Sequence, residues 1–126
     1  AVLTIQSTSV KQPIDNLTLS NVVRPAVIGL MKSLSRELGP EGIRFNSILP
    51  GITDTGRVDD LMNARAEKND TSADDERAKA ASSVPLRRIG SVEEFANAAV
   101  FLCSPAAGFI NGVALPVDGG TIRATL

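Results

Sequence analysis

The sequence predicts an α/β fold built on a parallel sheet, and three observations carry that expectation. A short β-branched, apolar run, Val2 to Ile5, ends in the polar cluster Gln6-Ser7-Thr8-Ser9, as a parallel strand ends when it delivers a loop to a site. The segment from Ser20 to Gly39 keeps one helical period: Val23, Val27, Leu30, Met31, Leu34 and Leu38 form a single apolar stripe, with Lys32, Arg36 and Glu37 off it. Ile43 to Pro50 reads as a second strand. Strand, long helix and strand in this order make a βαβ unit, which is right-handed and parallel in nearly all cases.

Taken in order, the chain opens on Ala-Val-Leu-Thr-Ile, which reads as a buried strand without an initiator methionine, a turn or a cap before it. A fragment of a longer protein is expected. A loop through Lys11, Pro13 and Asn16 leads into the helix at Leu17 to Ser20. Pro25 removes a backbone donor and crowds the carbonyl four residues back, so the regular helix begins near it or bends there. Gly39-Pro40 supplies the stop. Thr53 to Ser83 then changes character: it is rich in charge, offers only Val58, Leu61 and Met62 as a short apolar face, and is split by Asn69-Asp70-Thr71-Ser72. This predicts a mobile helical excursion whose second half opens on the acidic turn Asp74 to Glu76, where negative charge suits a helix start. Ser91-Val-Glu-Glu94 is a capping box, after which Phe95, Ala98, Ala99 and Leu102 line one helical face up to Ser104-Pro105. A third strand, Val113 to Val117, ends at Asp118-Gly119-Gly120.

Composition removes several function classes. With 126 residues, 43% hydrophobic and 21% charged, the chain is long enough for one globular domain. A formal charge of −1, with basic residues never gathered around aromatics, argues against nucleic acid. One cysteine and no histidine leave no disulfide framework and no zinc set, which fits a reducing cytoplasm. That cysteine, Cys103, is expected to be a small buried apolar residue. No apolar run approaches the roughly 20 residues that span a bilayer, so no membrane partner is expected.

These pieces resemble the C-terminal half of a short-chain dehydrogenase/reductase, most closely the branch that includes the 3-oxoacyl-acyl-carrier-protein reductases. The matching stretches are Leu3-Thr-Ile-Gln-Ser7, Ala26 to Leu38, Gly42-Ile-Arg-Phe-Asn46, Pro50-Gly51-Ile-Thr-Asp-Thr55, Val84 to Gly90, Glu93-Glu94, Phe101-Leu102 and Phe109 to Gly120. The resemblance implies the C-terminal part of a Rossmann-like doubly wound sheet over residues 1–126, with 53–83 as a substrate lid. The family's Gly-rich phosphate loop, adenosine-binding residue and catalytic-region Asn would lie in a missing N-terminal half. It also implies a nicotinamide cofactor, NAD or NADP, a small carbonyl or alcohol substrate, and a homodimer or homotetramer.

The family transfers hydride with a Ser and a Tyr-x-x-x-Lys pair: the serine bonds the substrate oxygen, the tyrosine moves the proton, and the lysine assists it and holds the nicotinamide ribose. By resemblance Ser7 matches the serine, while the tyrosine and lysine positions fall on Ser20 and Arg24. The chain contains no tyrosine. An aliphatic hydroxyl is a much weaker acid than a phenol, and arginine is a fixed charge rather than a proton relay. Arg24, Pro50, Gly51, Thr53 and Thr55 are the implied cofactor contacts. Each site residue has a plainer reading beside it: Ser7 as a strand-end hydroxyl, Ser20 as a helix N-cap, Arg24 on a solvated face. Lys11 is the alternative proton carrier in the loop. Two functions follow, an NAD(P)-dependent oxidoreductase with a substitute proton donor, or a non-catalytic homologue kept as a nucleotide-binding or assembly subunit.

Overall fold

The computed structural model describes residues 1–125. Three parallel strands, β1 (Val2–Ile5), β2 (Phe45–Pro50) and β3 (Ala114–Val117), form one sheet in the order β1-β2-β3. The register pairs Val2 with Phe45 and Ile5 with Ile48, then Ser47 with Ala114 and Pro50 with Val117. Phe45 to Leu49 are all buried. Because side chains alternate along a strand, five consecutive buried residues require cover on both faces of β2, the mark of a central parallel strand. Its polar members are bonded: Ser47 Oγ meets Thr4 Oγ1 at 2.8 Å, and Asn46 donates to Ile110 O while accepting from Val113 N–H. Asn46 thereby ties β2 to the segment that enters β3.

Between β1 and β2 runs α1 (Thr18–Glu37), 20 residues long with Pro25 inside it. It begins at Thr18 rather than near Pro25, and Ser20 is not its cap; the N-cap is Leu17, which supplies no side-chain bond. Asn21 explains how the start holds without a cap, since its amide both accepts from Ile14 N–H and donates to Ile14 O, fastening the preceding loop to the first turn. Of the stripe read from the sequence, Met31 is buried, whereas Val23 and Leu30 are about half exposed.

The excursion consists of α2 (Gly56–Asn69) and α3 (Ala73–Ser83), which pack on each other. The break between them falls where expected, with Asp70 left-handed and Ser72 and Asp75 forming a capping box over the acidic turn. The pair is more cohesive than its charge suggests. Met62, Ala66, Ala80 and Val84 are buried, and so is Glu76, whose carboxylate accepts from Asn69 and Thr71. Those bonds, the Asn69 amide foremost, hold its pKa below the usual carboxylate value against the opposing effect of burial. Arg77 joins α3 to Asp54 and Asp59.

The last helix, α4 (Val92–Cys103), carries the expected capping box: Glu94 N–H donates to Ser91 Oγ and Ser91 N–H to Glu94 Oε2. Arg88 forks onto the same Glu94 carboxylate at 2.5 and 2.6 Å. Arg88, with the Ser91 backbone after it, lowers the Glu94 pKa from 4.5 to about 2. At the other end of α4, the Arg44 guanidinium donates to Leu102 O, Ser104 O and Ile110 O.

Two further expectations need correction. β1 is a strand but not a buried one: Val2 is 41% and Ile5 60% exposed, because β1 is the outer strand and pairs with β2 along one edge only. Cys103 is exposed; Leu102 is the residue turned inward at the end of α4, and the next position on a helix points about 100° away.

Candidate functional site

The C-terminal ends of β1 and β2 lie side by side, with Gln6 N–H donating to Ile48 O at 2.9 Å, so both strands deliver their loops to the same edge of the sheet. In an open α/β sheet that edge is where ligands bind. Three groups of the sequence-predicted residues meet there.

The first follows β1. Ser7 caps a 3-10 turn over Thr8–Val10, its Oγ accepting from Ser9 N–H at 3.1 Å. The turn carries Ser9 inward, to 3% exposure, where its Oγ lies 3.3 Å from Ser20 Oγ.

The second comes from α1. Ser20 and Arg24 are four residues apart on the helix and so share a face. Arg24 Nε–H donates to Ser20 Oγ at 3.0 Å and Arg24 Nη1 donates to Gln6 O, also at 3.0 Å. The guanidinium is thus fastened to both α1 and the end of β1. An arginine has five N–H donors, and with these two engaged the remaining three have no acceptor among the described residues. Gln6, Ser20, Arg24 and Val27 line an open groove of about 560 Å³ whose other wall is Asn16 to Leu19.

The third follows β2. Gly51 N–H continues the ladder to Val117 O, and a Cβ at Gly51 would stand 2.6 Å from Asp118 Cα, so only glycine fits. Thr53 forms an isolated parallel bridge to Gly90, with Asp54 N–H bonded to Gly90 O and Gly90 N–H to Ile52 O. The excursion therefore leaves and returns at a single pinned point. Thr55 is the N-cap of α2, without a side-chain capping bond. Pro50, Gly51, Thr53, Thr55, Leu61 and Phe95 line a largely apolar cleft of about 430 Å³.

The structure thus brings Ser7, Ser20 and Arg24 into one hydrogen-bonded cluster, with Pro50, Gly51, Thr53 and Thr55 on the neighbouring loop. Lys11 stays outside, with no hydrogen bond from its side chain to Ser7 or Ser20. Two participants were not singled out from sequence, Ser9 and the Gln6 carbonyl. The only signal for Ser9 was its place two residues after Ser7 in a polar strand end, which becomes informative only once the 3-10 turn is known. Among the described residues there is no cluster of metal-ligating side chains and no helix long and apolar enough to cross a membrane.

Comparison with known proteins agrees with this architecture. Residues 1–121 match the family model described as enoyl-(acyl carrier protein) reductase. The chain is 38% identical over 97 residues to the 3-oxoacyl-[acyl-carrier-protein] reductase of Vibrio harveyi, covering 77% of this chain and 35% of that protein. Among solved structures, a Pseudomonas aeruginosa PAO1 short chain oxidoreductase containing an atypical catalytic center superposes with a TM-score of 0.84 at 30% identity, over 98% of this chain and 47% of that one. The L-sorbose reductase of Gluconobacter frateurii, complexed with NADPH and L-sorbose, gives 0.90 at 30% identity, over 97% and 47%. The chain spans less than half the length of the first curated relatives it matches, 37 to 44% of each. It has the α/β architecture of the Rossmann-like C-terminal part of those proteins, and it belongs to the short-chain dehydrogenase/reductase family.

Proposed function

We propose that this chain is the C-terminal part, residues 1–126, of an NAD(P)-dependent oxidoreductase that interconverts a carbonyl and an alcohol, with Ser7, Ser20 and Arg24 acting on the substrate oxygen and residues 53–83 covering it. The observation that carries the reading is the Arg24 Nε–H to Ser20 Oγ hydrogen bond. An arginine nitrogen can only donate, so the Ser20 oxygen is held as an acceptor and its own proton is left to be given away.

A nicotinamide supplies or accepts the hydride when bound. The chain's own residues fit it: Arg24 keeps three donors for a ribose diol, and the Ile52 and Thr53 N–H groups, which find no acceptor among the described residues, are free for a carboxamide beside Pro50, Gly51 and Thr55. Ser7 accepts from Ser9 N–H, which leaves its O–H to donate to a carbonyl oxygen. Ser20 offers a second O–H to the same oxygen, and the Arg24 charge, fixed before any substrate arrives, favours the negative charge that develops there. Serine is a weak acid, but the alkoxide it must protonate is an equally strong base, so the transfer needs no phenol. The relatives that reduce substrates with NADPH support this reading over a non-catalytic subunit.

Assaying the full-length protein with NADH and NADPH against a panel of ketones, aldehydes and secondary alcohols tests the proposal. Turnover that falls about 10²-fold in Arg24→Ala and in Ser20→Ala is expected, the usual cost of removing one donor from a developing oxyanion. Turnover unchanged in both variants would overturn it.

A further inference from the structure

Ser9 is a buried hydroxyl with one partner, and that partner is Ser20. Its Oγ makes no hydrogen bond other than the 3.3 Å contact to Ser20 Oγ among the described residues, and no buried side-chain oxygen or nitrogen there is left unpaired. Its backbone N–H meanwhile holds Ser7 Oγ. Ser9 therefore touches both hydroxyls assigned to the substrate oxygen, one through its main chain and one through its side chain.

We infer that Ser9 is a positioning residue for Ser20, one whose O–H donates to the Ser20 oxygen and leaves the Ser20 proton for the substrate. This rests on the function proposed above. Arg24 Nε–H occupies one lone pair of Ser20 Oγ, and the buried Ser9 O–H, which has no other acceptor among the described residues, donates to the other. When a substrate carbonyl enters, the Ser20 O–H donates to it while Ser9 and Arg24 keep the Ser20 oxygen in place. As the Ser20 proton moves to the substrate oxygen, with the hydride that a nicotinamide would supply completing the alcohol, the seryl oxygen left behind accepts from two donors, Arg24 Nε–H and Ser9 O–H. Ser9 keeps its proton throughout, and Ser20 recovers one from water. Ser9 is 3% exposed and is not among the residues that line the groove, so its hydroxyl meets Ser20 from the protein side. Ser7 is unaffected by loss of the Ser9 side chain, because its partner is the Ser9 main chain.

The test reads Ser20 directly. In the full-length protein, with Cys103 and any other native cysteine replaced by serine, Ser20→Cys places a titratable thiol between the two donors, and the pH dependence of its alkylation rate gives its pKa. Adding Ser9→Ala should raise that pKa by about 0.5 to 1 unit, the value of one lost neutral hydrogen bond, and Ser9→Thr, which retains a hydroxyl, should leave it unshifted. In the enzyme with Ser20 intact, Ser9→Ala should lower kcat about tenfold with little change in KM, and Ser9→Thr should restore it. A thiol pKa indifferent to Ser9→Ala overturns the inference whatever the activity. Absence of any carbonyl turnover in the parent would instead sink the proposed reaction, while the thiol titration would still decide on Ser9.

Discussion

Ser20 sits three residues into α1, with Leu17 as the cap, and that offset decides its hydrogen-bond partners. A capping serine would spend its oxygen on backbone N–H groups of the first turn; here the oxygen faces Arg24 and Ser9 instead. Arg24 in turn depends on geometry that lysine cannot reproduce, because its Nε and Nη1 reach α1 and Gln6 O from one planar group. Arg24→Lys is accordingly expected to recover only part of the activity lost in Arg24→Ala, measured as kcat/KM on whichever carbonyl the parent reduces. Gly51 is the other residue whose identity is dictated by its surroundings. Gly51→Ala would force its methyl into Asp118 and should destabilise the protein by about 1–3 kcal/mol, the range for overpacking a tight contact, read from urea unfolding midpoints.

At the scale of elements, α4 is held at both ends by arginines from outside it. At its start, Arg88 and Ser91 hold Glu94 ionised to about pH 2 from an ordinary 4.5. A carboxylate whose folded-state pKa is depressed contributes stability above its unfolded value and loses it as pH falls through the folded value. The contribution of Glu94 should therefore be complete above roughly pH 4.5 and fade toward pH 2, modest in size because the pair is about half exposed. Melting temperatures across that window should fall less steeply in Glu94→Gln than in the parent. At the end of α4, Arg44→Met leaves Leu102 O and Ser104 O, and Ile110 O beyond the helix, without their charged donor, with an expected loss of about 2 kcal/mol in the same urea titration. The α2–α3 hairpin is different in kind. It is pinned at its base by Thr53 and Gly90 and held across its width by the partly exposed Arg77 pairs. Hydrogen exchange should be faster in α2 and α3 than in the Ala26 to Leu38 part of α1, and equal protection would argue against a lid.

The whole molecule presents apolar surface that its own chain leaves uncovered. Leu19 is 78% exposed, Val22 66%, Leu30 56% and Val100 67%, and Phe109 is fully exposed. Exposed aliphatic and aromatic residues on two separate helices and the turn after α4 would suit contacts with the rest of the protein or with a second copy of it. We expect the full-length protein to be a homodimer or homotetramer, and light scattering that gives a monomer at micromolar concentration would contradict this. Residues 1–126 contain no Gly-x-x-x-Gly-x-Gly stretch to seat a pyrophosphate, so by themselves they should bind NAD(P) weakly; calorimetry showing micromolar affinity would contradict this.

The elements themselves were legible in the sequence because each rests on local chemistry. The apolar period predicts α1, Ser91 and Glu94 start α4, Asn69 to Ser72 divide the excursion, and the short β-branched runs mark the strands; the family resemblance offers Ser7, Ser20 and Arg24 as site candidates, and the fold places them in one hydrogen-bonded cluster. What local chemistry could not supply was every property that depends on which partner the folded chain brings alongside. The exposure of β1 follows from its place at the outside of the sheet, and the outward turn of Cys103 from which side of α4 meets β1 and β2. The start of α1 at Thr18, well before its proline, rests on an amide of Asn21 closing on Ile14 rather than on a capping side chain. Above all, Ser9 carries no signature of its own. A 3-10 turn aims its hydroxyl at a serine on a helix that begins nine residues later, and only folding brings the two within a hydrogen bond.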